Sequence, residues 1–423
     1  MAAVAGANAR HNFLALGLDY ACFLIGWSFA SQTTILPAFA THLGAPNVVI
    51  GAIPAVLMLG WFLPSLFVAH YTETLPRKLP FVLRYTVWER LPFPALAALA
   101  IVLAEPAPRL ALGVFLALLL VASGVGGALM PAWMDIMGRT IPVELRGRFF
   151  GAANLLASVG GLVGSAGTAY ILVTFPAPRS YGLCFLAASI FLALSYVALA
   201  SVREPTAAAP SVPMPLRVYL RGMPALLRRD RNLAWFIAAR GFAVVGAMAT
   251  GFYTVYALRA FGAPEWRVGL FTMLFLGGQT VGNLVLGWLA DRAGHRLVIA
   301  LGIAALMVGN LGALTAPSVE AFGPVFVLVG IHLAAIHVSA RTIVLEFAPD
   351  ERARPTYLGL ANTALGPLSA GAPLAAGLLA DRVGFPAVFA TAAVFGLVGL
   401  ALLLARVREP RTPRAGRAAA ASA

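Results

Sequence analysis

The chain is predicted to be an all-α membrane protein of twelve transmembrane helices, arranged as two pseudo-symmetric six-helix bundles. Three observations predict this: few charges, apolar runs of spanning length from end to end, and basic residues that alternate between two sides. Of 423 residues, 60% are hydrophobic and only 11% charged, and the mean hydropathy is +0.87. A soluble domain carries about 25% charged residues, so most of this surface meets something other than water. Each apolar run approaches the ~20 residues that cross a ~30 Å hydrocarbon core. Lipid offers no partner to an unpaired backbone group, so such runs must be helical.

The spans are placed at about 13–36, 47–69, 79–103, 109–134, 149–174 and 180–202, then 232–257, 267–290, 297–316, 321–345, 356–380 and 385–405. The first six define an N-terminal bundle within residues 1–202, and the last six a C-terminal bundle over 232–405. Residues 203–231 read as a cytoplasmic linker, which opens on Pro205, Pro210, Pro213 and Pro215. It ends in a basic, amphipathic, surface-lying helix carrying Arg217, Arg221, Arg228, Arg229 and Arg231. Residues 406–423 form a basic cytoplasmic tail. With the amino terminus inside, the inner segments hold 21 Arg and Lys residues and the outer loops 5. That bias places both termini in the cytoplasm, across an even number of spans, and predicts a plasma (inner) membrane protein. The net charge of +14 thus reflects orientation and calls for no nucleic acid. Cys22 and Cys184 fall inside spans and read as small hydrophobes.

The halves are related in residues as well as hydropathy. Pro142-Val-Glu144-Leu-Arg146-Gly147-Arg148, followed by Gly151 and Asn154, comes after span four. Pro349-Asp-Glu351-Arg352-Ala-Arg354, followed by Gly359 and Asn362, comes after span ten. The offset is 207 at the prolines and 208 at the asparagines. Twin six-span halves suit a protein that rocks two bundles around a site between them.

After span eight stands Gly287-Trp-Leu-Ala-Asp291-Arg292-Ala-Gly294-His295-Arg296. In this stretch the chain resembles the major facilitator superfamily, whose loop signature is Gly-x-Leu-x-Asp-Arg-x-Gly-x-Arg. Gly287 would let helices approach closely and Gly294 would turn the chain. The first-half counterpart, residues 69–78, keeps only the basic pair Arg77-Lys78. Pro142-x-x-x-Arg146-Gly147 and Glu346-x-x-Pro349 are partial copies of the family's Glu-x-x-Pro-x-x-x-Arg-Gly loops. The resemblance implies a secondary transporter working by alternating access, either proton-coupled or facilitative. It also implies an inner-gate charge network, carried onto Asp291, Arg292, Arg296, Arg146, Arg148, Glu346 and Arg352. The competing role for these charges is anchoring helix ends in the headgroups. Efflux is favoured over uptake, although the family's drug-export markers are incomplete: Gly124, Gly126 and Pro131 are present, but Leu120 stands at the arginine position.

An ionisable group within a span costs about 2.5–3.5 kcal/mol on insertion scales, so each needs a reason. Span one has Asp19; span three has Arg84, Glu89 and Arg90; span seven has Arg240; span ten has His332, His337 and Arg341. Glu89, about 16 Å along the helix from Lys78, is a candidate proton carrier or half of an ion pair within its bundle. Asp19 and Arg240 sit at similar depths and either bridge the halves or pair separately. His337 and Arg341 share a helix face, and the histidines suit either proton coupling or interhelical hydrogen bonding. Trp27, Gln32, Tyr253, Tyr256, Gln279 and Asn283 are candidates for a substrate cavity, with interhelical adhesion as the alternative. Gly160-x-x-x-Gly164 and Gly278-x-x-x-Gly282 offer small-residue packing faces, and Pro54, Pro64, Pro92, Pro94 and Pro367 permit bends.

No HExxH, P-loop, GxSxG or GxGxxG pattern occurs, so no enzyme chemistry, metal or cofactor is expected. The expected partners are a small-molecule substrate, protons and the lipid bilayer, and the chain is expected to be a monomer. The competing reading is a transporter-like membrane protein that no longer transports and serves as a sensor or assembly factor.

Overall fold

The apolar runs fold as lipid demands. The computed structural model describes residues 2–73, 75–205, 226–349 and 353–410, and no strand occurs among them. In chain order the N-terminal helices are α1 (Ala2–Phe29), α2 (Ile35–His42), α3 (Asn47–Glu73), α4 (Leu79–Arg90), α5 (Pro92–Val102), α6 (Pro108–Thr140), α7 (Val143–Thr174) and α8 (Arg179–Ala200). The C-terminal ones are α9 (Arg231–Gly246), α10 (Phe252–Ala260), α11 (Arg267–Ala293), α12 (His295–Thr315), α13 (Val319–Phe347), α14 (Arg354–Arg382) and α15 (Phe385–Arg406).

Among the described residues, ten helices are long and apolar enough to cross a membrane: α1, α3, α6, α7, α8 and α11 to α15. The remaining two predicted spans are interrupted. The third is α4 and α5, divided at Leu91 just before Pro92, whose ring removes a backbone donor. The seventh is α9 and α10, divided over 247–251. The first span is also broken: α1 stops at Phe29 and α2 resumes at Ile35. Among the described residues, nine continuous spans and three helix pairs therefore stand where twelve spans are predicted. Of the predicted linker helix only the end is described, helical over 226–229; its earlier part and the end of the basic tail lie outside the described residues.

Each half packs by one scheme. The α3–α6 contact recurs as α11–α13, α1–α8 as α9–α15, and α1–α7 as α9–α14. Both small-residue faces are used. Gly160 and Gly164 seat α7 on Ile25 and Phe29 of α1, and Gly278 and Gly282 seat α11 on Val327, Ile331 and Ala334 of α13.

Both halves are also closed by the same clamp. Asn12 exchanges two hydrogen bonds with the backbone of Arg203, at 3.0 and 2.9 Å. Asn232 does so with the backbone of Arg408, at 3.0 and 2.8 Å. The next residue is a glutamate in each case. Glu204 accepts from the N–H groups of Lys78 and Leu79, at 2.9 and 2.7 Å, and Glu409 from that of Arg296, at 2.7 Å. Each carboxylate thus satisfies orphan donors at a helix start, where negative charge is favoured. The clamp is written in sequence as Val-Arg-Glu-Pro, at 202–205 and again at 407–410.

Candidate functional site

The two halves meet along α3–α14 and α7–α11, and their polar contacts gather at one end, opposite the termini. A repeat organises that end. Gly44-Ala45-Pro46 is followed by Gly51, and Gly262-Ala263-Pro264 by Gly269. Gly44 and Gly262 have φ of 74° and 60°, a region that suits glycine, and turn the chain out of α2 and α10. Gly51 and Gly269 are seats for the opposite half. A methyl group on Gly51 would overlap the Pro373 carbonyl of α14, and one on Gly269 the Ala169 backbone of α7.

Side chains reciprocate the same way. Arg259, in the last turn of α10, donates to Asn47 Oδ1 at 2.7 Å and to the Ala45 carbonyl at 2.6 Å. His42, in the last turn of α2, meets Glu265 at 3.0 Å. Asn47 and Glu265 occupy the same position of the repeat, directly after the proline. Asp381, at the end of α14, accepts from the N–H groups of Asn47 and Val48, both at 2.9 Å. A carboxylate of one half thus caps a helix of the other. Just below, at the helix breaks, the hydroxyls of Thr34 and Thr272 lie 2.6 Å apart, and Thr254 donates to the Thr33 carbonyl at 3.1 Å. Every hydrogen bond that joins the halves between described residues lies in this zone.

The termini end is different. Arg146 donates to the carbonyls of Gly138 and Ile141, at 2.6 and 3.3 Å. Arg296 donates to those of Leu403 and Leu404, at 3.3 and 2.5 Å. Each arginine thereby finishes the C-terminus of a helix in its own half, where positive charge is favoured. Glu346 lies 3.5 Å from His295, Arg292 covers the Trp288 ring at 4.1 Å, and Asp291 and Arg148 are exposed. Arg352 lies outside the described residues. Gly294 does turn the chain, at φ 87°. The close approach expected at Gly287 is absent, since nothing lies within 4 Å of a methyl group there. The same residue pattern recurs as Gly377-Leu-Leu-Ala-Asp381-Arg382-Val-Gly384, and this second copy makes the contact between halves. Gly377 packs against the Asn47 and Val48 backbone.

Mid-membrane, Asp19 and Arg240 do not meet. Asp19 accepts from Trp133 at 2.8 Å and Ser195 at 2.6 Å, and lies 3.5 Å from Arg90. Glu89 accepts from Thr86 at 2.9 Å and Arg90 at 3.3 Å. Gly126 leaves the space that the Glu89 carboxylate fills. Arg90 also reaches Thr86, Ser195 and the Leu192 carbonyl. The network of two acids and one arginine closes inside the N-terminal half. Three of the cavity candidates belong to the packing instead. Tyr253 is fully buried and donates to Asn310 at 2.6 Å. Tyr256 packs among Phe261, Phe322, Phe385 and Phe389, and Trp27 lies edge-on to Phe93. His332 bonds the Gly302 carbonyl at 2.9 Å and ties α13 to α12.

Other polar groups stay open. Gln32, Asn154, His337 and Arg341 are exposed, and Asn283 partly so. Gln279 of α11 hydrogen-bonds His337 of α13 at 3.3 Å, with Arg341 one turn further on. Facing them from the N-terminal half is Tyr20, stacked on Trp133 at 6.0 Å and edge-on to Phe150 at 6.2 Å. Its hydroxyl donates to Asn154 at 3.2 Å. Arg341 acts electrostatically on Tyr20, so these residues face one another across a polar cleft between the halves. An apolar groove lined by Phe67, Tyr71, Phe81 and Tyr85 lies within one half, away from this cleft. Nothing in the sequence marks Tyr20, Trp133 or Phe150, because single aromatics are ordinary in membrane helices.

Solved structures share this architecture. The chain superposes on a D-xylose–proton symporter with a TM-score of 0.71 at 14% identity, over 94% of this chain and 98% of that one. It superposes on a POT family transporter in complex with a thioalcohol-conjugated peptide with a TM-score of 0.70 at 14% identity, over 93% and 94%. For a nucleoside transporter the values are 0.65 and 14%, over 93% and 100%. The Major Facilitator Superfamily model matches residues 241–422. The chain has the major facilitator fold. The superfamily match covers the half that holds the complete loop signature at 287–296, whereas the other half of the chain keeps only fragments of it. Comparison with curated proteins returns no match.

Proposed function

We propose that this chain is a secondary transporter of a small solute, working by alternating access between two rocking bundles, with efflux the expected direction. One observation carries the reading. The halves are latched by reciprocal contacts at the end opposite the termini, while no hydrogen bond between described residues joins them at the termini end. That asymmetry suits one of two states related by a rocking motion. The basic-residue bias supports placing the termini end in the cytoplasm, which makes this the inward-facing state of a monomer in the plasma (inner) membrane. Protons are the proposed coupling ion. Asp19 and Glu89 share a single guanidinium, Arg90, so a buried proton neutralises the remaining carboxylate.

Proteoliposomes holding the purified protein and loaded with a solute panel test this. Some solute is expected to exchange across the membrane at a saturable rate, and Glu89→Gln is expected to keep exchange while losing accumulation driven by a pH gradient. An absence of flux for every solute would favour the non-transporting sensor or assembly factor.

A further inference from the structure

The charges of the membrane interior are divided between the halves. The N-terminal half holds both mid-span acids, Asp19 and Glu89, with Arg90 between them. In the C-terminal half, Glu265, Asp291, Glu320, Glu346 and Asp381 all stand at helix ends or in loops. The cations within its spans are Arg240 and, nearer the termini end, Arg341, and neither has a carboxylate or any other hydrogen-bond partner among the described residues. Arg240 is 8% exposed with its Nε unsatisfied, and acts on His332 from the neighbouring helix. Arg341 is exposed to the cleft. The two mid-span acids opposite offer no counter-charge. Asp19 is 3% exposed behind Trp133, and Glu89 is 7% exposed and turned to Thr86 and Arg90.

Arg341 is the one of the two that stands open to the cleft, with no carboxylate paired to it among the described residues, so its donors are free to take an anionic solute. Resting on the transport reading above, we infer that the cleft takes a small organic anion carrying a planar ring, its acidic group on Arg341 and Gln279 and its ring on the Tyr20–Trp133 wall. A guanidinium fork matches a planar carboxylate bidentately, and a stacked aromatic pair offers a flat apolar face.

Benzoate, with benzamide as neutral twin and benzylamine as cationic twin, tests this on the purified full-length protein. Thermal stabilisation reads binding and proteoliposome counterflow reads movement. Benzoate is expected to stabilise and to exchange, and the twins to do neither. Arg341→Gln should weaken benzoate binding about tenfold or more, the loss of a charged hydrogen bond. Arg341→Lys keeps the charge without the fork and should fall between them, which covers the case where the glutamine variant fails to fold. Benzoate that binds through Arg341 but never moves, with no flux of any solute in the panel, would sink the transport reading and leave the anion site standing. Movement of benzylamine or benzamide in preference to benzoate would keep transport and overturn the anion site. Benzoate binding that survives both substitutions, or no benzoate binding at all, would also overturn it. Phenyl phosphate in place of benzoate separates phosphate from carboxylate selectivity at the same arginine.

Discussion

At the scale of single residues, the buried triad is the sharpest object. Arg90 lies between Asp19 and Glu89 with its donors distributed over Thr86, Ser195 and the Leu192 carbonyl. Removing the guanidinium strands two carboxylates in a low-dielectric interior, a loss of about 3–5 kcal/mol. Replacing Glu89 by glutamine keeps an acceptor for Thr86 and should cost about 1 kcal/mol. Arg90→Gln is therefore expected to lower the thermal unfolding midpoint far more than Glu89→Gln does, and equal losses would contradict a charge-balanced network. The three members were legible because an ionisable group in an apolar run stands out. Their pairing was not. Counting residues along a helix gives depth, so Asp19 and Arg240 fell at similar levels, but depth says nothing about which way a side chain points around the axis. Asp19 points into its own bundle, toward Trp133 and Ser195.

At the scale of elements, short repeats carry the architecture. The Val-Arg-Glu-Pro clamp ties the segment after α8 to Asn12 of α1 and to the start of α4, and the segment after α15 to the starts of α9 and α12. Glu204→Gln and Glu409→Gln should each destabilise by about 1–2 kcal/mol, as lost helix caps do. The two sit in different halves with no shared partner, so their losses should add in the double variant. Thermal melts of the four proteins check this, and strong non-additivity would mean that the clamps are coupled. The Pro142/Pro349 repeat was legible because charges and glycines surround it. The clamp, the Gly-Ala-Pro turns and the second Gly-x-Leu-Ala-Asp-Arg-x-Gly copy were overlooked because each is a few common residues at the edge of an apolar run. The helix breaks were half legible. Pro92 and Pro94 foretold the one at Leu91, whereas Gln32, a candidate for cavity lining, lies in the turn between α1 and α2.

At the scale of the whole molecule, the pseudo-symmetric halves and their membrane character were written in hydropathy and charge bias, whereas the state of the molecule was not. Which end is latched depends on contacts between residues some 200 or more apart in sequence, such as His42 with Glu265, and no local pattern reports them. The latch also makes opposite demands that one probe can read. Gly51→Val and Gly269→Val place side chains into the backbone of the opposite half. Such overpacking costs this state about 1–3 kcal/mol, enough to shift a balanced equilibrium about five- to 150-fold toward the state in which those ends part. Linking His42→Cys to Glu265→Cys with a short bifunctional reagent does the reverse and holds those ends together. In a background with Cys22→Ser and Cys184→Ser, a cysteine at Asn154 faces the cleft. Its reaction with an impermeant maleimide from the side of the termini should slow in the glycine variants. In the linked protein it should persist while solute flux stops, and flux should return on cleaving the link. Unchanged labelling in both glycine variants, or undiminished flux through the linked protein, would show that these contacts are not what holds the molecule closed at that end.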